Sequence, residues 1–285
     1  MITSYMPHDV WRGLCLVPLS VLLMAACTSL DAPRKAAAAP IGRPGFLAGY
    51  LTTEALPNSL ALLPPPPAVG SAALALDEEI SRRSFALRET ARWALAASDA
   101  ELDFPRAAET YSCALNAPIG EADAPHLYTL LRRTLSDLGM STSAAKNQYH
   151  RTRPFVVNKE PMCTPEMRAQ LEKSGSYPSG HTTAGWGWAL ILAEISPAQA
   201  DAILARGLAY GESRNVCNVH WHSDVVQGRV LAAGTVARLH AEPAFRADLE
   251  AARAELAAVR GQGLKPTRDC AAEAAALAVQ PSLAQ

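Results

Sequence analysis

The chain lacks an excess of either charge: 26 Lys and Arg stand against 27 Asp and Glu, a formal net charge of −1. No basic block breaks that balance, which argues against a nucleic-acid footprint. Aromatic residues are scarce, at 6%. Internal repeats are missing. The 17 Gly and 21 Pro are too few and too scattered for a collagen or a linker array. No stretch alternates apolar with polar residues or clusters β-branched ones, so strands are not expected. What is present is a 285-residue chain with 49% hydrophobic and 19% charged residues, an ordinary globular balance. That length allows one large domain or two small ones.

Residues 14–26 form an apolar run behind Arg12. It falls short of the roughly 20 residues a spanning helix needs and has the form of a secretory signal. It ends in Leu23-Met24-Ala25-Ala26-Cys27, which resembles a bacterial lipobox with an oversized Met24. Either Cys27 carries a lipid anchor or the chain is cleaved nearby as an ordinary exported protein. Export implies the periplasm, with outer-membrane anchoring if Cys27 is lipidated. In that oxidising space Cys113, Cys163, Cys217 and Cys270 are expected to form two disulfides, with three connectivities open. No later run reaches spanning length, so the body is expected to be soluble and without a transmembrane span.

The leader is assigned to residues 1–27, a flexible linker to 28–49, a folded domain to 50–265 and a tail to 266–285. Leu62-Leu63-Pro64-Pro65-Pro66-Pro67 reads as a stiff, extended lead-in. From Ser71 the pattern is helical. Leu127, Leu130, Leu131, Leu135 and Leu138 repeat at helical spacing after Pro125. Further helices are expected over Ser143–Arg153, Thr182–Ile195, Asn218–His240 and Ala244–Arg260, with another starting at Ser196-Pro197. The fold class is therefore all-α, a single-domain helical bundle.

Three blocks carry chemistry. In the first, Lys146 and Arg153 stand two helical turns apart, so both cations are expected on one face, able to clamp a dianion. In the second, Pro178-Ser179-Gly180-His181 runs into a helix whose free N–H groups attract anions. This block mimics a phosphate-binding nucleotide loop, but no strand precedes it and His181 stands where Lys is required. In the third, Ser213-Arg214 leads to His220 and Asp224, one turn apart if the helix begins at Asn218. A carboxylate there orients one imidazole nitrogen and leaves the other free as a nucleophile. Metal ligation by His220, His222 and Asp224 competes, although residues two apart on a helix diverge. A Cys217 thiolate acting with His220 is a further alternative. Each block taken alone also has a bland reading, as a solvated basic face or a capped helix with a packed histidine.

Together and in this order, Lys-x6-Arg-Pro, Pro-Ser-Gly-His and Ser-Arg-x5-His-x3-Asp resemble the signature of the type-2 phosphatidic acid phosphatase superfamily, which includes the vanadium haloperoxidases. The soluble bacterial class A non-specific acid phosphatases are the most similar branch, and the resemblance extends over about residues 47–255. It implies that His220 is the nucleophile, His181 the general acid and base, and Asp224 the residue that orients His220. It implies that Lys146, Arg153, Ser179, Gly180 and Arg214 bind phosphate. It also implies small phosphomonoester substrates, an acidic optimum, neither metal nor other cofactor, and a dimer or larger assembly. A vanadium-dependent haloperoxidase, a lipid phosphatase and a non-enzymatic phosphate-binding lipoprotein are the rival functions. Because Cys163 and Cys217 each lie near a block of the site, the expected bridges are Cys163–Cys217 and Cys113–Cys270.

Overall fold

Local signals start most of the helices. Ser71, Thr90, Ser179 and Asp269 each accept a backbone N–H of the following turn through their side chains. Pro125, Pro154 and Pro243 occupy first-turn positions, where no N–H is needed. The computed structural model describes residues 46–279. The leader, Cys27, linker residues 28–45 and residues 280–285 lie outside the described residues.

The helices are α1 (Ser59–Leu62), α2 (Ala72–Ser84), α3 (Ala91–Ser98), α4 (Ser112–Leu115), α5 (Pro125–Ser141), α6 (Ser143–Tyr149), α7 (Pro154–Asn158), α8 (Arg168–Leu171), α9 (Gly180–Ile195), α10 (Ala200–Val216), α11 (His222–Leu239), α12 (Pro243–Gly261) and α13 (Cys270–Ala278). Among the described residues there is no β-strand element, so the all-α expectation holds. None of the described helices is long and apolar enough to cross a membrane.

The hub is α9, apolar on nearly every face, which packs against α5, α10, α11 and α12. Its Trp188, Ile191 and Leu192 are fully buried against Leu127, Leu130 and Leu138 of α5 and Leu249 and Leu256 of α12. Two glycines set critical approaches. A Cβ on Gly185 would fall 2.1 Å from the Tyr210 ring of α10. A Cβ on Gly228 of α11 would fall 2.9 Å from the Ser179 carbonyl oxygen, so this glycine seats α11 beneath the turn that opens α9.

Both ends of the folded body extend beyond their expected limits. Tyr50 N–H donates to Asp137 Oδ2 at 2.9 Å and Ser136 Oγ donates to the Leu47 carbonyl at 2.5 Å, so the expected linker 28–49 is already docked at Leu47. The segment read as a tail contains α13, which lies on α3 and is tied down by the Cys113–Cys270 disulfide. The second disulfide joins Cys163 to Cys217, with Cα atoms 4.8 Å apart. The lead-in is less uniform than expected. Asn58 caps the short helix α1, after which Leu63 turns extended, and the Tyr177 hydroxyl donates to the Pro64 carbonyl at 2.5 Å.

Two helices end where the sequence suggested they continue. The helix expected over Ser143–Arg153 stops at Tyr149, because His150 takes a left-handed conformation (φ 42°) and Pro154 begins a new helix. The helix expected from Asn218 begins at His222, because Asn218 is itself left-handed (φ 59°).

Candidate active site

Backbone hydrogen bonds stitch the three blocks together. Ser176 N–H donates to the Arg151 carbonyl (2.9 Å), Phe155 N–H to the Asn218 carbonyl (3.2 Å), and Ser179 N–H to the Asp224 carbonyl (3.0 Å). The Trp221 indole adds a bond to the Thr152 carbonyl at 2.8 Å. Asn218 keeps its left-handed turn because its amide donates to the carbonyls of Glu160 and Pro161 and exchanges bonds with Asn158. The result is a rigid non-helical loop that carries His220 just ahead of α11.

The tautomer of His220 follows from its neighbours. Arg153 Nη1 lies 3.1 Å from Nε2, and a guanidinium has only donors, so Nε2 must accept and hold the lone pair. The proton then sits on Nδ1, 3.3 Å from Asp224 Oδ2. Asp224 is not on a shared helical face with His220, as the sequence suggested. It is the third residue of α11, and its Oδ2 also accepts the Trp221 N–H at 2.9 Å. On the other side, the His181 imidazole is half-buried, and its Nε2–H donates to the Ala100 carbonyl at 3.0 Å.

The cations converge on this imidazole by a different route from the expected helix face. Lys146 sits near the end of α6, with Nζ donating to the Gly175 carbonyl at 2.7 Å. Arg153 precedes α7 and is locked by the carbonyls of Leu171 and Val219 (2.9 Å each). Arg214 comes from the last turn of α10, is fully buried, and none of its guanidinium nitrogens has a protein acceptor among the described residues. Such a group is costly to bury. Burial pushes Lys146 down to about 7 and Arg153 and Arg214 to about 10. Burial first, then Arg153, Lys146 and Arg214, hold His220 well below the ordinary imidazole range. Burial and then Arg214 do the same to His181.

Ser179 and Gly180 complete the cluster. Ser179 Oγ accepts from Thr182 N–H (3.2 Å) and from the Thr182 hydroxyl (2.9 Å), which leaves its own O–H to donate. Gly180 opens α9, where the first N–H groups have no intrahelical acceptor. A Cβ on Gly180 would stand 3.9 Å from Lys146 Cε. The structure therefore brings together all eight residues singled out from the sequence: Lys146, Arg153, Ser179, Gly180, His181, Arg214, His220 and Asp224. Cys217 is disulfide-bonded, which removes the thiolate alternative. Among the described residues no group of three or more His, Cys, Asp or Glu is placed to hold a metal ion.

Two residues of the site, Arg151 and Asp77, escaped sequence reasoning. Arg151 donates to Asp224 Oδ1 (2.6 Å), to Ser223 Oγ (2.7 Å) and to Asp77 Oδ2 (2.7 Å). Asp77, from α2, also accepts the Ser223 N–H at 2.7 Å. The orienting carboxylate is thus itself oriented by a buried Asp77–Arg151 pair. Arg151 lies inside the first block, but off the Lys146-to-Arg153 spacing that marks the helix face.

Two hollows flank the cluster. One, of about 400 Å³, includes His181, Ala100, Glu101, Asp103 and Glu166 in its walls. The other, of about 250 Å³, is lined by His150, Arg151, Arg153 and Lys173.

Residues 127–245 match the model of the PAP2 superfamily. The chain is 43% identical over 212 residues to the non-specific acid phosphatase of Providencia stuartii, covering 74% of this chain and 86% of that protein. The chain belongs to the PAP2 superfamily. It is also 44% identical over 209 residues to the acid phosphatase of Zymomonas mobilis, covering 73% and 79% of the two chains. The non-specific acid phosphatase of Salmonella typhimurium is 40% identical over 200 residues, covering 70% and 80%. Within the PAP2 superfamily, the chain falls with the acid phosphatases.

Proposed function

We propose that this PAP2 protein is an exported acid phosphatase that cleaves phosphomonoesters through a phosphorylated His220. The observation that carries the reading is the junction of a lone-pair Nε2 on His220 with Arg214, a buried guanidinium that has no acceptor among the described residues. Three cations and a helix N-terminus around one imidazole demand an anionic guest, and the imidazole is aimed to react with it.

In this reading the phosphoryl oxygens are held by Lys146, Arg153 and Arg214, the Ser179 hydroxyl and the Gly180 N–H. His220 Nε2 attacks phosphorus as the ester P–O bond breaks in line. Asp224 accepts from Nδ1–H and stabilises the charge that develops on the ring. His181 gives its proton to the departing alkoxide, then takes one from the water that splits the N–P bond and frees phosphate. The fixed cations face the oxygens that bear transition-state charge, so they lower the barrier without reorganising. The depressed pKa of His220 keeps it neutral in acid, and the bound phosphoryl charge raises His181 toward the protonated form it needs. The two disulfides support assignment to an oxidising, extracytoplasmic compartment.

The test is phosphate release from p-nitrophenyl phosphate across pH 4 to 8. An optimum below neutrality, inhibition by vanadate, indifference to EDTA and loss of turnover by about 10⁴-fold or more in His220→Ala are expected. Near-normal turnover in that variant, with its fold intact, would overturn the assignment.

A further inference from the structure

In-line attack by His220 sends the departing oxygen to the side where His181 can protonate it. The 400 Å³ hollow whose wall includes His181 is therefore the leaving-group side. Its walls differ from those of the phosphoryl pocket in the sign of their charge. Among the described residues Glu101, Asp103 and Glu166 line it, and no Lys or Arg does. Arg106 pairs with Glu101 from outside this lining. Asp103 and Glu166 are exposed. The rest of the wall is mostly small or apolar, with Ala97, Ala100, Leu102, Met167 and Leu171. Arg151, Arg153 and Lys173 line the other hollow, with Glu172 as its one acidic residue among the described residues.

Building on the phosphomonoester reading above, we infer that this acidic hollow selects the leaving group by charge. The favoured substrates are monoesters of amino alcohols, with a cationic ammonium a few bonds from the ester oxygen. Monoesters whose leaving group carries a second anion are disfavoured. The phosphoryl group is drawn into the cationic pocket in every case, so discrimination arises from what hangs outside it. A carboxylate or second phosphate there would face Asp103 and Glu166, whereas an ammonium would be attracted by them. The hollow is large enough for a small organic group, and its apolar wall tolerates methyl groups on nitrogen. Because two of the carboxylates are exposed, the effect is modest and screened by salt over a Debye length of about 10 Å at 0.1 M.

The test uses ethanolamine phosphate and phosphoglycolate, which have leaving groups of matched length and opposite charge, with p-nitrophenyl phosphate as neutral reference. At low ionic strength kcat/KM is expected to favour ethanolamine phosphate by about tenfold, in line with rim-charge energies. The Asp103→Asn/Glu166→Gln double variant should reduce that ratio to within about threefold of unity, as should added salt. Its p-nitrophenyl phosphate turnover should stay within about twofold, because neither residue touches the phosphoryl group. A wild-type ratio near one, or a ratio the double variant leaves unchanged, overturns the inference while p-nitrophenyl phosphate is still hydrolysed. Failure of the wild-type protein to hydrolyse p-nitrophenyl phosphate would instead overturn the phosphomonoester reading on which this inference rests.

Discussion

Replacing Arg214 with methionine should make the protein more stable and much less active. The side chain is fully buried, and no guanidinium nitrogen has an acceptor among the described residues. Burial pushes its pKa to about 10, and against an ordinary arginine, at about 1.4 kcal/mol per pH unit, this is a penalty of about 3 kcal/mol. Methionine is unbranched and of similar length, so it removes the charge without opening a large void. Allowing for imperfect repacking, a gain of about 1–3 kcal/mol is expected, in the range found when buried charges are replaced by apolar groups. For a chain of this size that is a Tm rise of about 2–10 °C, readable by circular dichroism. Over the same substitution kcat/KM for p-nitrophenyl phosphate should fall by about 10²–10³, the cost of losing one preorganised donor to the transition state. Inorganic phosphate should raise the Tm of the wild type far more than that of the variant, because a ligand stabilises only in proportion to its affinity. A variant that melts lower than wild type, or keeps kcat/KM within about tenfold, would refute the reasoning that this arginine is held in reserve for an anion.

Two further outcomes follow from the same charges. Lys146 is pushed down to about 7, so it is cationic below that pH and loses its charge above it. Affinity for sulfate, whose own charge is constant in this range, should therefore weaken as pH rises through about 7, and Lys146→Arg, which stays charged, should abolish that weakening; an unchanged pH dependence contradicts this origin. Arg151→Met leaves Asp77 and Asp224 buried without their shared cation, and should cost about 3–5 kcal/mol in urea unfolding together with a lower kcat. A loss below about 1 kcal/mol would show that the Asp77–Arg151–Asp224 chain does not hold the site together.

Those residues also mark where sequence reading succeeds and where it stops. The ordered blocks around Lys146, His181 and His220 were legible because each is a short run of unusual residue types. The α9 core helix was legible because Thr182 to Ile195 is apolar nearly all round. The backbone between them was not. His150 and Asn218 both adopt positive φ without being glycine, so nothing local announced that the first and third blocks would leave the helix. Lys146 and Arg153 still meet at the site, but through a loop closed by Gly175 and Leu171 carbonyls rather than along a helix face. Asp77 was invisible for a different reason. It reads as one more acid on the surface of α2, and only the tertiary fold carries it to Arg151, 74 residues away.

The most direct test of the central claim is chemical trapping of the intermediate. Wild-type protein mixed with ³²P-labelled p-nitrophenyl phosphate and quenched in alkali should yield a labelled peptide containing residue 220. The label should be stable to base, labile to acid and absent from His220→Ala. Label on any other residue, or turnover with no trappable adduct in His181→Ala, whose slowed second step should let the adduct accumulate, would contradict attack by His220 on phosphorus.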